Sequence, residues 1–343
     1  MPVIKSTYFK LFFCIILFSF SLTACKQNRL DVNVSNIDLN IKVNRFEKDF
    51  FAIDTNNVAA GAAALKKKYP DFYPIYFERL MRLGVNRDSS DLDFIKMIKA
   101  NKDFNTLKHD VDSVYPTITD LENQITDAFK HYKYYFPDAK IPEVLTYISD
   151  FQVGATNTDQ TLGIELDMFL GKNYKYYPSV GFPNYLTRKL GKEYITAIAM
   201  KGFAKQHFSE KEGDKSLLNK MIYEGKILYF LDAVLPKTPD SIKIGFSQKQ
   251  LDWCNAYKVE MWANFLDQNL LYSTDELKYS KYLNDAPFTS GLDNDSAPQL
   301  GIWTGWQIVR KYMNENTNVT VAQLMNDKDY QKILKLSKYK PKK

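Results

Sequence analysis

Apolar positions recur with helical spacing along most of this chain. Two features of the sequence predict helix ends. Pro70 ends one helix, and Thr119 or Asp120 can cap another that begins near Leu121. The spacing of three and four residues predicts helices over 58–69, 73–83, several stretches within 89–135, 193–208, 215–235, 247–271 and 303–314. The chain is therefore predicted to be mostly helical.

Alternation of apolar and polar residues marks three short stretches as strands. The period of two is seen over 41–46, over 144–149 and over 162–169. A turn containing Gly and Asn at 154–158 separates the last two, which favours an antiparallel pair. We therefore predict an α+β fold, a helix-dominated single domain with a small antiparallel or mixed sheet.

The first 25 residues follow the order of a bacterial lipoprotein signal. Lys5 and Lys10 precede an apolar run over 11–20, and Leu-Thr-Ala stands immediately before Cys25. The run is too short to span a membrane and remain there. The thiol of Cys25 would take a diacylglycerol, and two or more acyl chains anchor a protein stably where one is marginal. An ordinary signal peptide with a chance cysteine is the alternative. The predicted organisation is a signal peptide over 1–24, an acylated N-terminus and tether over 25–40, and one domain over 41–343.

The net charge limits the classes of partner, and the cysteine content limits the disulfides that the chain can form. The formal charge of +6 falls to +4 when Lys5 and Lys10 leave with the signal, which is nearly neutral for this length. The lysines at 66–68 and 338–343 are interpreted as solvated faces, so no nucleic-acid partner is predicted. Cys254 would be the one cysteine left unmodified, so no internal disulfide is expected and a large core must provide stability.

Residue types that usually carry catalysis are sparse. His109, His131 and His207 lie in separate segments, and none has a second ligand at zinc-binding spacing. The sequence contains no His-Glu-x-x-His, no nucleophile elbow and no phosphate or dinucleotide loop. We therefore predict no metal, no cofactor and no enzymatic activity.

Paired carboxylates are the remaining enzymatic option. Glu165 and Asp167 are two apart on a predicted strand, so both should project from one face near Asp150. Such a pair could hydrolyse a glycosidic bond. We prefer to interpret it as the solvated face of an edge strand. The acidic cluster at 293–295 lacks the spacing of a calcium loop.

Two further features suggest binding sites of different kinds. Tyr174, Tyr176 and Tyr177 could form a saccharide-binding cluster, although aromatic residues at this density are usually core. Gly225 lies within a predicted helix over 216–232, where glycine costs about 1 kcal/mol relative to alanine. A close packing contact at Gly225 is therefore expected.

The helix over 216–232 resembles the Glu-Gly helix that carries the third metal ligand in a family of zinc-dependent proteases. In that family an earlier helix supplies His-Glu-x-x-His, but the corresponding helix here, 194–208, has no histidine in a productive register. Only Glu224 could be carried over as a ligand. This resemblance implies a degenerate zincin-like fold without a catalytic metal.

A broader resemblance covers nearly the whole chain. Besides the lipobox ending at Cys25, the motifs are KYPDFY at 68–73, YYFP at 134–137, IELDMFLG at 164–171, MIYEGK at 221–226, QLDWC at 250–254, APF at 286–288 and GIWTGWQIVR at 301–310. In this order they resemble the GldB family of gliding-motility lipoproteins. The chain departs from that pattern at Asp150 and Phe151, where a glycine would be expected after Ser149.

This second resemblance implies a non-catalytic interaction or assembly component of the gliding machinery. Its partners would be the lipid bilayer, through acylated Cys25, and other gliding or secretion proteins of the envelope. The residues after Cys25 lack the acidic cluster that directs such lipoproteins to the outer surface, so the domain is expected to face the periplasm. A cell-wall hydrolase, either a glycosidase or a divergent metallopeptidase, is the alternative.

The predicted interaction groove combines two helices. It is formed by Tyr223 and Glu224 from one and by Trp303, Trp306 and Arg310 from the other, residue types that favour protein interfaces. The two tryptophans are three residues apart and could equally be core.

Overall fold

The computed structural model of the protein describes residues 29–81 and 90–342. The chain divides into two compact units, Met1–Asn33 and Val34–Lys343, and every helix and strand of the described ranges lies in the second. The predicted signal peptide and Cys25 lie outside the described residues. Within the described ranges no helix has the length and apolar character needed to cross a bilayer.

One small mixed sheet lies in the second unit. Its strands are β1 (Val43–Arg45), β2 (Glu143–Tyr147), β3 (Ala155–Asn157) and β4 (Thr161–Glu165), in the order β1-β2-β4-β3. β1 and β4 both run parallel to β2, while β3 runs antiparallel to β4. The predicted antiparallel pairing of 144–149 with 162–169 is therefore wrong. The segment expected to be their turn contains β3, which itself forms the antiparallel pair.

The helices between β1 and β2 follow the predicted periodicity with three differences, the first being that no helix is predicted where Phe46–Ala52 forms one. They are α1 (Phe46–Ala52), α2 (Val58–Lys68), α3 (Phe72–Pro74), α4 (Asp91–Ala100), α5 (Lys102–Val114) and α6 (Thr119–Tyr135). The helix expected over 73–83 is α3 continued by a π-helix, Ile75–Leu80. α6 begins at Thr119 without a side-chain cap from Ile118, so the predicted cap by Thr119 or Asp120 is wrong.

Beyond the sheet the regular structure is helical, with short 3-10 segments such as Leu166–Phe169 and with irregular stretches over 170–183 and 283–299. The helices are α7 (Asn184–Thr187), α8 (Ile195–His207), α9 (Leu217–Val234), α10 (Asp240–Ile244), α11 (Gln248–Ala256), α12 (Lys258–Asp267), α13 (Glu276–Tyr279), α14 (Leu300–Glu315), α15 (Val321–Asn326) and α16 (Tyr330–Ser337). The single helix predicted over 247–271 is two helices that meet at Tyr257.

Helix α9 lies at the centre of the core. Fifteen of its 18 residues are buried, which is typical of a helix surrounded by protein on all sides. It packs most extensively against α14 and also contacts α6, α8, α15 and α16. A second, aromatic cluster covers the sheet face that carries Leu145 and Tyr147, with Phe46 and Tyr76 among its rings. The α9–α14 pair therefore fixes the position of most predicted groove residues.

Candidate functional site

Glycines bring α9 and α14 into backbone contact. A Cβ atom built on Gly305 would lie 1.9 Å from the carbonyl oxygen of Met221, and one on Gly225 would lie 2.4 Å from the carbonyl of Gly305. Both distances are far below van der Waals contact, so only glycine fits at these two positions. The expected close packing contact at Gly225 is confirmed.

A buried ionic network joins the end of α9 to α14. The Asp232 carboxylate accepts hydrogen bonds from Trp306 Nε1 (2.9 Å), Lys243 Nζ (2.9 Å) and Arg310 Nε (2.7 Å). Arg310 also donates to both oxygens of Asp240, at 2.7 and 2.8 Å, and its guanidinium stacks 3.7 Å from the centroid of the Trp306 ring. Trp306 is completely buried.

The pKa values of the network follow from burial and from these bonds. Burial alone would lower the pKa of Arg310, but its hydrogen bonds to Asp240 and Asp232 outweigh burial and raise it. Burial likewise opposes the charge of Asp240, yet the bonds from Arg310 hold the pKa of that carboxyl below its usual value. The bidentate pairing of Arg310 with Asp240 favours the charged form of both groups. Trp306 and Arg310 therefore serve mainly to hold neighbouring helices together.

Tyr223 and Glu224 belong to a different part of α9. Lys205 Nζ on α8 donates to Glu224 Oε1 at 2.5 Å, while Glu224 Oε2 is buried without a partner among the described residues. Nearby, burial lowers the pKa of Lys201, and the charge of Glu224 opposes that shift. Burial raises the pKa of half-buried Tyr223, and so does Glu224. Glu224 precedes Asp232 by about 12 Å along the helix axis.

The structure thus brings some of the predicted groove residues together and separates others. Trp303 and Arg310 line a polar pocket of about 310 Å³ with Asp240. Trp306 lies beside Arg310 but is completely buried, whereas Glu224 pairs with α8. Glu224, Trp306 and Arg310 are consequently tied into contacts between helices, and Trp303 is only 3 % exposed.

Glu165 and Asp167 are completely buried, at 0 % exposure. Their interpretation as the solvated face of an edge strand is therefore wrong. β4, which ends at Glu165, lies between β2 and β3, and Asp167 follows in the 3-10 helix Leu166–Phe169. Burial raises the pKa of Asp167 well above its usual value, and the charge of Glu165 raises it further.

Both carboxylates hold one loop, residues 149–154, which we call the clamped loop. Glu165 accepts hydrogen bonds from Ser149 Oγ (2.6 Å) and from the backbone N–H groups of Gln152, Val153 and Gly154 (2.7 to 2.8 Å). Asp167 accepts from the N–H groups of Phe151 (2.9 Å) and Ser149 (3.3 Å). These bonds replace the water that a buried carboxylate loses. The sequence signal for this arrangement is weak, since it consists of two acids in an otherwise apolar run.

The clamped loop is strained at two consecutive residues. Asp150 and Phe151 both have φ of 63°, in the left-handed region that favours glycine. Aspartate tolerates this region better than most residues, but for a bulky phenylalanine it is an outlier that the surroundings must enforce. This explains why a glycine is expected after Ser149. The chain places a carboxylate at that position instead.

A pocket of about 380 Å³, here the loop pocket, opens beside the clamped loop. Its lining includes Asp103, Phe104, Asp150 and Tyr176. Burial raises the pKa of Asp150, and so does the neighbouring charge of Asp103. Tyr176 is 40 % exposed, whereas Tyr177 is completely buried. The predicted tyrosine cluster is therefore split between this surface and the core.

Ligands for a metal ion are not assembled in the part of the chain that the structure describes. No group of three or more His, Cys, Asp or Glu side chains there could hold an ion. His131 Nδ1 and His207 Nδ1 lie 2.8 and 3.0 Å from backbone carbonyl oxygens of their own helices. Asp295 in the acidic cluster pairs with Lys249 at 2.5 Å.

A protein-family model described as gliding motility protein GldB matches residues 27–341. No curated protein and no solved structure matches the chain. These comparisons provide no support for the resemblance to zinc-dependent proteases. Because the family match covers almost the entire sequence, including all the helices and strands described above, the chain belongs to the GldB family of gliding motility proteins.

Proposed function

We propose that the protein is a membrane-tethered lipoprotein of the gliding-motility machinery that acts by binding and assembling other components, without catalysis. The observation that carries this proposal is the family match over residues 27–341. It includes the α9–α14 pair, the clamped loop and the loop pocket, so the whole domain and not one grafted segment belongs to this family.

The state of the candidate catalytic groups supports a non-catalytic role. A general acid or nucleophile must contact its substrate, but Glu165 and Asp167 are completely buried and hold the clamped loop. Glu224 is paired with Lys205. The glycosidase and metallopeptidase alternatives would therefore each require rearrangement of groups that stabilise the fold.

The tether is part of the proposal. Acylation of Cys25 would hold the domain at a membrane, and the sequence that follows favours a domain facing the periplasm. Confinement to a membrane raises the effective concentration of the domain relative to partners on that membrane. Weak contacts are then sufficient for assembly.

A genetic complementation experiment tests the role and the tether together. In a gliding bacterium that encodes this chain, deletion of the gene should stop spreading on agar, and the full chain should restore it. Cys25→Ser should be produced but should leave the membrane fraction and fail to restore spreading. Normal gliding by the deletion strain would refute the proposed role.

An activity assay separates the hydrolase alternative. Purified full-length protein should release no fragments from peptidoglycan or from peptides. If fragments were released, and if Glu224→Gln abolished their release, the protein would be a cell-wall hydrolase and the non-catalytic proposal would be wrong.

A further inference from the structure

Among the described residues, those that line the loop pocket include two acids and aromatic rings but no basic side chain, while Lys175 Nζ lies 4.8 Å from the centroid of the Tyr176 ring. Asp103, in the first turn of α5, and Asp150, in the clamped loop, supply the carboxylates. Phe104 and Tyr176 supply rings, and Val180, which is 46 % exposed, extends the apolar part of the wall. Its volume lies within the range of pockets that take a small ligand or one large side chain.

Within the described residues Asp103 and Asp150 have no cationic partner, unlike Asp110 and Asp112, the other acids of α5. Asp110 pairs with Lys175 at 3.4 Å and accepts a hydrogen bond from Tyr174 at 2.9 Å. No ion pair or side-chain hydrogen bond of the Asp103 or Asp150 carboxylate is made within residues 29–81 and 90–342. Both carboxylates line the same pocket, and the charge of Asp103 disfavours the charged form of Asp150 until a positive group enters.

The clamped loop fixes the backbone that carries one of these carboxylates. Six hydrogen bonds to Glu165 and Asp167 hold the loop in a backbone conformation that costs free energy at Asp150 and Phe151. The same geometry buries Phe151 and leaves Asp150 exposed. Because this backbone is already fixed, placing the Asp150 carboxylate against a partner costs side-chain but little backbone conformational entropy.

We infer that the loop pocket receives a lysine or arginine side chain of a partner protein in the envelope. This inference rests on the proposed function and names the chemistry of the partner. The positive group would neutralise Asp103 and Asp150 and lie near the ring of Phe104, where cations are attracted. The aliphatic stem of the same side chain suits the apolar wall at Val180.

Site-specific photo-cross-linking in living cells tests this inference on the full chain. p-Benzoylphenylalanine at Ser179, which lines the pocket, should cross-link to a segment of another protein that has a lysine or arginine at the contact. Asp103→Asn should lower the yield about fivefold, the size of effect that one partly exposed ion pair supplies. Asp150→Asn should do the same, because asparagine also tolerates positive φ. Asp295→Asn, at an exposed ion pair that does not line the loop pocket, is the matched control and should leave the yield unchanged.

A charge swap makes the test specific for the side chain. Asp103→Lys should abolish the cross-link, and changing the captured basic residue to glutamate should restore it. A yield that is insensitive to Asp103→Asn and Asp150→Asn would overturn the inference. So would the absence of a cross-link at Ser179, or a cross-link only to lipid, to a second copy or to residues 26–28 of the same chain.

A second probe position separates this inference from the proposed function. Leu277 is 93 % exposed and does not line the loop pocket. If a probe at Leu277 captured a protein required for gliding while Ser179 captured none, the interaction role would stand and the loop pocket inference would fail. If deletion of the gene left gliding unchanged, the proposed function would fail whatever Ser179 captured.

Discussion

Replacement of Gly305 by alanine should destabilise the domain through the α9–α14 contact. The added Cβ would lie 1.9 Å from the carbonyl oxygen of Met221, and ordinary contact begins near 3.4 Å. The two backbones must therefore separate by 3.4 − 1.9 = 1.5 Å, or distort by an equivalent amount. Neither clashing atom is at the end of a flexible side chain, so no rotamer change can relieve the contact.

The magnitude follows from two opposing effects. Alanine is favoured over glycine in a helix interior by about 1 kcal/mol. Overpacking of a dense core costs about 1 to 3 kcal/mol, and occasionally more. The upper part of that range applies here, because separation of α9 from α14 also stretches the Trp306–Asp232 hydrogen bond. We expect a net loss of about 2 kcal/mol or more in the free energy of unfolding.

Gly202→Ala is the matched control for Gly305→Ala. Gly202 also lies within a helix, α8, but its Cβ would approach only the end of the Asn157 side chain, with Nδ2 at 2.5 Å. That side chain can move, so the helix preference should prevail and stability should be unchanged or raised by up to about 1 kcal/mol. The two substitutions are thus expected to differ in sign.

Urea unfolding of the full chain in detergent, followed by circular dichroism, measures both effects. The midpoint for Gly305→Ala should fall, and that for Gly202→Ala should stay or rise. The reasoning is refuted if Gly305→Ala is as stable as the unmodified chain, or if both substitutions lower the midpoint equally.

Three further substitutions probe the buried polar groups. Asp232→Asn should lower the free energy of unfolding by about 3 to 5 kcal/mol, because it leaves the Arg310 guanidinium partly uncompensated. Asp295→Asn should lower it by less than about 1 kcal/mol. Equal losses for the two variants in thermal unfolding would contradict this. Burial, with a smaller contribution from a neighbouring lysine, lowers the pKa of Lys226 to about 7. Between about pH 7 and pH 10 the unfolded chain therefore binds more protons at this residue than the folded chain does. The free energy of unfolding should consequently rise with pH over this range. Lys226→Met should flatten that rise in urea titrations across the range, and an unchanged slope would exclude Lys226 as its source. Ser149→Ala should lower the free energy of unfolding by about 1 to 3 kcal/mol, because it removes the hydroxyl that donates to the buried Glu165 carboxylate. A loss below about 0.5 kcal/mol would show that this carboxylate finds a replacement donor.

Local sequence patterns predicted the helices well and the strand pairing poorly. Helical periodicity depends on neighbours three and four residues away, so α9 and α14 were predicted close to their actual positions. The three residues of β3 are too few to show a period of two. Without β3, a chain reversal between β2 and β4 was the natural expectation. Their parallel pairing depends on contacts that local spacing does not encode.

The same limit applies to the candidate site. The energetic cost of a glycine in a helix was enough to predict the close contact at Gly225, because that cost is local. Burial of Glu165 and Asp167 could not be predicted, since carboxylates in an alternating run normally mark a solvated face. What reverses this expectation is a loop that returns its N–H groups to both carboxylates.

The pairing of charges in this domain supports the inference that the loop pocket is a binding surface. Asp232 and Arg310 satisfy each other inside the fold, and Glu165 is satisfied by backbone amides, so these groups have little left to offer a partner. Asp103 and Asp150 retain unsatisfied charge beside aromatic rings. A contact of this size is weak in free solution. Two proteins confined to one membrane meet at a high effective concentration, and a single basic side chain in the loop pocket can then select the partner and its orientation.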